Sequence, residues 1–370
     1  MNKLIPKHIL EIHPYVPGKP VEELQRERGI ENVIKLASNE NPLGPSPKAV
    51  EAMRRVLKDS HLYPEDHAYY LQKTLEEKLG FPFDQIIVGA GTTELIKIIA
   101  HSFLNFNEKA IMSEKSFLMY KLATQEVCGS KGLIKIPTMK DYSYDLSSFL
   151  ENVKPGVKLI WIANPNNPTG AMIKKSEMRK FLDQLPDKVI IVIDEAYFEY
   201  AIDRDYPDGT EFVKEGRNVI VLRTFSKIYG LAGLRIGYGI SRSEIIKNLY
   251  RVKAPFNTCR IAQEAALAAL EDDEHARRSK ENNKKGKEMI YKFLDKLGVE
   301  YVRSFTNFVM INLPFSAQIL YEKLLDRGVI VRPLDAFDAP DSIRVTVGTE
   351  EETKIFLKAF EDVFSELISK

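Results

Sequence analysis

Four short stretches of this chain carry side chains that could hold or transform a small charged molecule. In Gly89-Ala90-Gly91-Thr92-Thr93-Glu94 two glycines allow close backbone approach, and a helix starting there would offer unpaired N–H groups to a phosphate. A dinucleotide fingerprint needs a third glycine where Glu94 stands, and the same residues also make a plain strand-to-helix turn with Thr92 or Thr93 as N-cap. Asp194-Glu195 follows the apolar run 189–193, which puts a carboxylate at a strand end, where it either pairs with a buried cationic ligand group or caps the next element. No G-x-x-x-x-G-K-[ST] loop accompanies it, so a magnesium–nucleotide role is excluded. Asn164-Pro165-Asn166-Asn167-Pro168-Thr169-Gly170 follows the run 159–163 and reads first as turn chemistry. Thr224-Phe225-Ser226-Lys227 follows the run 219–222, with Arg235 eight residues beyond the lysine. Positive charge nearby lowers a lysine pKa and yields a nucleophilic amine, although most lysines are simply solvated.

What joins the four is their place, each at the carboxyl end of a candidate strand, where one crevice can collect them. Together they offer a phosphate cup, a carboxylate, an amide and a lysine amine, the parts needed to hold pyridoxal phosphate.

The elements that must position these groups are legible in the hydrophobic pattern. Between about residues 80 and 240, short apolar runs alternate with helical periodicity: 86–88 then 94–103, 110–112 then 117–127, 159–163 then 174–185, followed by 189–193 and 219–222. Continuous apolar runs mean strands buried on both faces, hence a mainly parallel sheet sandwiched by helices. After residue 240 an Ala-rich, then charge-rich helical region runs from 259 to about 297, with 271–288 reading as a solvated face. Strand candidates at 308–313, 329–332 and 343–347 make a smaller α+β domain. The expected division is a large domain over 41–255, with 1–40 and 256–370 forming the small domain and N-terminal arm.

The chain has 370 residues, 44% hydrophobic and 28% charged, enough for two self-supporting domains. Its 53 Lys and Arg against 52 Asp and Glu leave +1, which argues against a nucleic-acid partner. Two cysteines, Cys128 and Cys259, are too few for a disulfide framework and are expected to be buried, inert thiols of a reducing cytoplasm. No apolar run is long enough for a membrane span, and residues 1–10 lack the apolar core of a signal peptide. His61 and His67 show no metal-ligand spacing, so no metal is expected.

The motifs Ser38-Asn39-Glu40-Asn41-Pro42-Leu43-Gly44, Tyr63-Pro64, Asn167-Pro168-Thr169-Gly170, Asp194-Glu195-Ala196-Tyr197, Ser226-Lys227 through Arg235, and Ile343-Arg344-Val345-Thr346-Val347-Gly348 stand in one order along nearly the whole chain. In this the sequence resembles the fold-type-I pyridoxal-phosphate aminotransferases of the class I/II group. Within the group it looks like the members that act on histidinol phosphate, a narrower likeness resting on Pro14-Tyr15-Val16-Pro17-Gly18-Lys19-Pro20 and the general spacing. The resemblance implies that Lys227 links to the cofactor and later shuttles the α-proton, and that Asp194 pairs with the pyridinium nitrogen. It implies that Asn167 and Tyr197 contact the ring's phenolic oxygen, and that Ser226, Arg235, Thr92 and Thr93 hold the phosphate. Phe117 falls where the family stacks an aromatic ring, usually Tyr, on the pyridine. Tyr63 would reach the neighbouring subunit's cofactor, which implies a homodimer; an ordinary core or interfacial tyrosine is the alternative.

For substrates, the resemblance gives Arg344 to the carboxylate of 2-oxoglutarate and glutamate or to the histidinol phosphate group. Arg332 would be a second contact or a surface ion-pair partner, and Tyr15 would help close the pocket. The implied reaction converts L-histidinol phosphate and 2-oxoglutarate to imidazole acetol phosphate and L-glutamate. Aromatic amino acid transamination is the first competitor, and decarboxylation of threonine phosphate on the same scaffold the second. A cofactor-sensing transcription regulator would need a DNA-binding domain ahead of Ser38, where fewer than 40 residues stand.

Overall fold

The computed structural model describes residues 4–369; residues 1–3 of the stretch read for a signal peptide, and residue 370, lie outside it. The larger sheet has seven strands: β1 (Ile86–Gly89), β2 (Lys109–Ser113), β3 (Leu133–Ile136), β4 (Val157–Ala163), β5 (Ile190–Asp194), β6 (Val219–Thr224) and β7 (Gly237–Ile240). Their spatial order is β1-β7-β6-β5-β4-β2-β3, and β7 alone runs antiparallel to its neighbours. The expected mainly parallel, mixed sheet is therefore present; β3 and β7 are the members the apolar pattern did not single out.

Both faces of this sheet are covered, which explains the unbroken apolar runs. Ile160, Ile162, Ile191, Ile193 and Val221 pack into one core with the helices Tyr69–Leu79, Lys175–Leu182 and Arg260–Ala269. Their neighbours Leu159, Trp161, Val192, Ile220 and Leu222 point the other way, toward Thr92–Phe103 and Leu118–Cys128.

A second, antiparallel sheet has four strands in the order Arg332–Leu334, Ala339–Thr346, Phe308–Asn312, Tyr301–Val302. Helices Asp273–Leu297, Ala317–Leu325 and Glu350–Ile368 close its core. The predicted strand 329–332 is two: Val329–Ile330 pairs in parallel with Ile34–Lys35, and Arg332 begins a separate strand. The single helical region expected from 259 is also two helices, Arg260–Ala269 and Asp273–Leu297. The break is fixed by Asp272, whose side chain accepts from the His275 N–H as N-cap. Within 271–288 one stripe is buried rather than solvated: Ser279 accepts from Asn41 Nδ2 at 2.8 Å, and Asn283 Nδ2 donates to the Thr306 carbonyl at 3.0 Å. Cys128 is buried, but Cys259 is exposed, against expectation, because it precedes its helix as N-cap. Among the described residues no helix is long and apolar enough to cross a membrane, and no His/Cys/Asp/Glu group is arranged to hold a metal.

Candidate functional site

β1, β4, β5 and β6 run in the same direction, so the four loops singled out in the sequence emerge at one edge of the sheet. There they meet the second sheet and the segment 15–40 around a cavity of about 270 Å³. Tyr15, Thr92, Thr93, Phe117, Asn167, Asp194, Tyr197, Ser226, Lys227, Arg235, Arg332 and Arg344 all line it. Tyr63 does not. It is 80% exposed and stacks on Phe256 with ring centroids 4.8 Å apart, which removes the reading of a core tyrosine.

Asp194 is the last residue of β5, and strand alternation sends it and Glu195 to opposite sides. Glu195 accepts two bonds from Arg223, at 2.9 and 2.8 Å, behind the cavity. The Asp194 carboxylate is buried at the cavity floor, accepting from the Tyr120 hydroxyl (2.8 Å) and the Ala196 N–H (3.1 Å). Burial pushes its pKa up to about 6, against the lowering pull of these donors and of Lys227. Among the described residues it has no cation within ion-pair distance, so the floor calls for a cationic ligand atom.

Lys227 stands opposite, its Nζ only 3.3 Å from the Ser38 carbonyl oxygen. Burial first, then the charges of Arg344 and Arg235, pushes its pKa down to about 8, with Glu40 and Asp194 opposing. The lowered pKa is in the direction expected of a reactive amine, with burial rather than neighbouring charge as its first cause.

The phosphate cup forms at the helix Thr92–Phe103. Gly91, not a threonine, is its N-cap residue, and no side chain caps it. The N–H groups of Thr92 and Thr93 have no acceptor among the described residues. Gly91 has φ +77°, and a Cβ there would meet the Arg235 guanidinium at 2.4 Å, so glycine is what lets the arginine lie across the helix end. Arg235 Nη1 donates to Ser226 Oγ at 3.3 Å and has no carboxylate partner among the described residues.

In the Asn-Pro loop the asparagines divide their work. Asn166 is wholly enclosed, donating to the Lys115 carbonyl and Thr169 Oγ1. Asn167 faces the cavity, where its Oδ1 accepts from Arg344 Nη1 at 2.5 Å, leaving its Nδ2 free to donate. Arg344 Nη2 reaches the Ala37 carbonyl at 2.7 Å, while its buried Nε has no partner. Arg332 lies directly across the strand pair from Arg344. It is buried, not a surface ion-pair residue, and donates to the Val16 carbonyl at 2.7 Å beneath the Tyr15 ring. Neither arginine has a carboxylate partner among the described residues.

Tyr120 and Asn39 are functional-site residues that the sequence reading left without a role. Tyr120 lies one helical turn beyond Phe117 and packs edge-to-face with it, a spacing that could have exposed it. Asn39 donates to the Tyr197 hydroxyl at 2.8 Å. The donor set matches pyridoxal phosphate: a carboxylate for a cationic ring nitrogen, free N–H groups and a guanidinium for a phosphate, an amine for an aldehyde. It leaves Arg332 and Arg344 for a second anion.

A model of the aminotransferase class I and II family matches residues 31–360. The histidinol-phosphate aminotransferase of Caldicellulosiruptor saccharolyticus is 46% identical over 355 residues, 96% of this chain and 98% of that protein. That of Moorella thermoacetica is 43% identical over 358 residues, covering 96% and 92%. The crystal structure of histidinol-phosphate aminotransferase from Sinorhizobium meliloti in complex with pyridoxal-5'-phosphate superposes with a TM-score of 0.89 over 98% of each chain at 26% identity. Cavity, fold and sequence agree: the chain belongs to the class I and II aminotransferases.

Proposed function

We propose that this chain is a pyridoxal-phosphate-dependent transaminase that carries the amino group of L-histidinol phosphate to 2-oxoglutarate, giving imidazole acetol phosphate and L-glutamate, in histidine biosynthesis. Relatives bearing that name along almost their entire length support the reading. The observation that carries it is the buried pair Arg332 and Arg344, paired only with carbonyl and amide oxygens, in one cavity with a lysine of lowered pKa. Buried cations without counter-ions are costly, and a phosphate or carboxylate relieves that cost with bidentate bonds. Histidinol phosphate lacks an α-carboxylate, so its phosphate would take the contacts that glutamate fills with a carboxylate.

Bound in the cavity, pyridoxal phosphate supplies an aldehyde for amine exchange and a ring that accepts the electron pair of the broken α-C–H bond. Asp194 keeps the ring nitrogen protonated. Asn167 Nδ2 and the Tyr197 hydroxyl hold the phenolic oxygen, and Phe117 flanks the ring. Thr92, Thr93, Ser226 and Arg235 bind the phosphate. Lys227 would hold the cofactor's aldehyde carbon through its amine and, once freed by the substrate amine, would take up the substrate's α-proton on Nζ. Tyr15 covers the anion bound by Arg332 and Arg344.

Residues 41–255, with helix Arg260–Ala269 packed on them, form the cofactor-holding domain in this reading, and the N-terminal segment with the remaining C-terminal part forms the small one. The exposed Tyr63 belongs to the cavity of a second copy, so the working unit is a homodimer. Its free cysteines suit the cytoplasm.

The test is the half-reaction: holoenzyme is mixed with each donor, without keto acid, while the bound cofactor's absorbance is followed. Rapid conversion to its amine form by histidinol phosphate, and much slower conversion by phenylalanine, is expected. Preference for an aromatic amino acid, or carbon dioxide release from threonine phosphate, overturns the assignment.

A further inference from the structure

Asn39 is a buried non-glycine residue in the left-handed region, with φ 56°. Asparagine and aspartate tolerate this conformation better than other side chains, and such residues concentrate where function needs them. Its polar atoms are committed to three parts of the molecule. Its backbone N–H donates to Thr346 Oγ1 at 2.9 Å, and Thr346 Oγ1 donates back to Asn39 Oδ1 at 3.1 Å. Its carbonyl accepts from Asn307 Nδ2 at 3.0 Å. Its Nδ2 donates to the Tyr197 hydroxyl at 2.8 Å.

These bonds orient the Asn39 amide. Thr346 Oγ1 accepts the Asn39 N–H on one lone pair and gives its own proton to Asn39 Oδ1, so the amide oxygen faces the threonine. The amide nitrogen must then face Tyr197, whose oxygen accepts. With its oxygen so used and no protein acceptor for its proton among the described residues, the Tyr197 hydroxyl directs that proton into the cavity it lines. Thr346 is two residues beyond Arg344 on the same strand, and Arg344 grips the Ala37 carbonyl two residues before Asn39. The anion-binding strand thus holds 37–39 at both ends.

We propose that Asn39 is a positioning residue: locked by Thr346, it orients the Tyr197 proton toward the cofactor's phenolic oxygen and ties that proton to the strand that carries Arg344. The inference rests on the cofactor reading above and deepens it. Asn39→Asp tests it, because aspartate keeps the shape and tolerates the backbone but presents an acceptor to Tyr197, drawing the proton out of the cavity.

The readout is the pH midpoint of the visible-absorbance change of the holoenzyme, which reports proton binding next to the phenolic oxygen. In Tyr197→Phe and in Asn39→Asp the midpoint is expected to rise by about one unit. The double variant is expected to stay within about 0.3 unit of Tyr197→Phe. Asn39→Gly keeps the backbone conformation and leaves the tyrosine proton free to turn, so it should shift the midpoint less than Asn39→Asp. An unchanged midpoint in Asn39→Asp, or an equal further rise in the double variant (the mark of added charge alone), overturns the inference. A wild-type chain showing no chromophore dependent on Lys227 overturns the cofactor reading itself, and this inference with it.

Discussion

On the sheet side of the cavity, Asp194 and Lys227 sit at or just beyond the ends of adjacent parallel strands, and the carboxylate is held by Tyr120 and Ala196. On the other side, Arg332 and Arg344 stand opposite one another on a strand pair, with carbonyls and one amide for company. The first wall is fixed by the protein's own donors; the second leaves guanidinium capacity unused, including the buried Arg344 Nε. That contrast suits a transaminase. In the proposed function the cofactor stays in place through the cycle, whereas two different anionic substrates enter and leave by the same contacts. A carboxylate wedged between the arginines would stabilise the resting protein and compete with both substrates.

The sharpest break in the comparison is on the first wall. Lys227→Ala should lower turnover by roughly 10⁴-fold or more, because in the proposed function it removes both the covalent link and the proton carrier. Its melting temperature should hold or rise, since the change removes a buried cation whose one hydrogen bond among the described residues is a long 3.3 Å contact. Retained transamination would take Lys227 out of its role. Asp194→Ala should weaken cofactor binding by roughly 100-fold, read by fluorescence titration of apoprotein, through loss of a buried charge pair. Equal affinity would remove the pairing with the ring nitrogen.

On the second wall the effects are smaller and fall on substrates. Arg344→Gln should raise KM for histidinol phosphate and 2-oxoglutarate alike by roughly 100-fold, and Arg332→Gln by roughly 10-fold. The difference follows from Arg344's partnerless Nε and its direct bond to Asn167. Cofactor affinity should change little in either. If Arg344→Gln released the cofactor while leaving KM alone, the division between the walls would be wrong.

The two walls also differed in how readable they were. Asp194, Asn167 and Lys227 lie in local motifs after apolar runs, so strand direction alone brought them together. Arg332 and Arg344 could be paired from their two short strands, but their acceptors, Val16 and Ala37, come from hundreds of residues away and left no local pattern. Tyr120 escaped because an apolar helix position does not announce a hydroxyl aimed at a carboxylate. β7 escaped because Gly237-Tyr238-Gly239-Ile240 lacks an apolar run, its glycines fitting closely against neighbouring strands. The break at Leu270–Asp272 was a capping event inside helical periodicity, visible only once Asp272 had a helix to cap.

The least disruptive probe asks whether the walls feel each other's charge. Lys227 Nζ has its pKa lowered to about 8 by burial first and by Arg344 next. With that value about a tenth of the amines are neutral at pH 7, against about one in 3,000 for an ordinary lysine. The rate at which apoprotein captures pyridoxal phosphate, followed by absorbance, should therefore rise with pH and level off above about 8. The sign follows from the neutral amine being the reactive form, so a lower pKa moves the plateau to lower pH. Arg344→Gln removes one positive neighbour and should move the midpoint upward by a fraction of a unit, still well below 10.5 because burial remains. A midpoint near 10.5 in the wild type would mean the amine is solvated, and an unmoved midpoint in Arg344→Gln would mean the substrate wall is electrically silent toward the lysine.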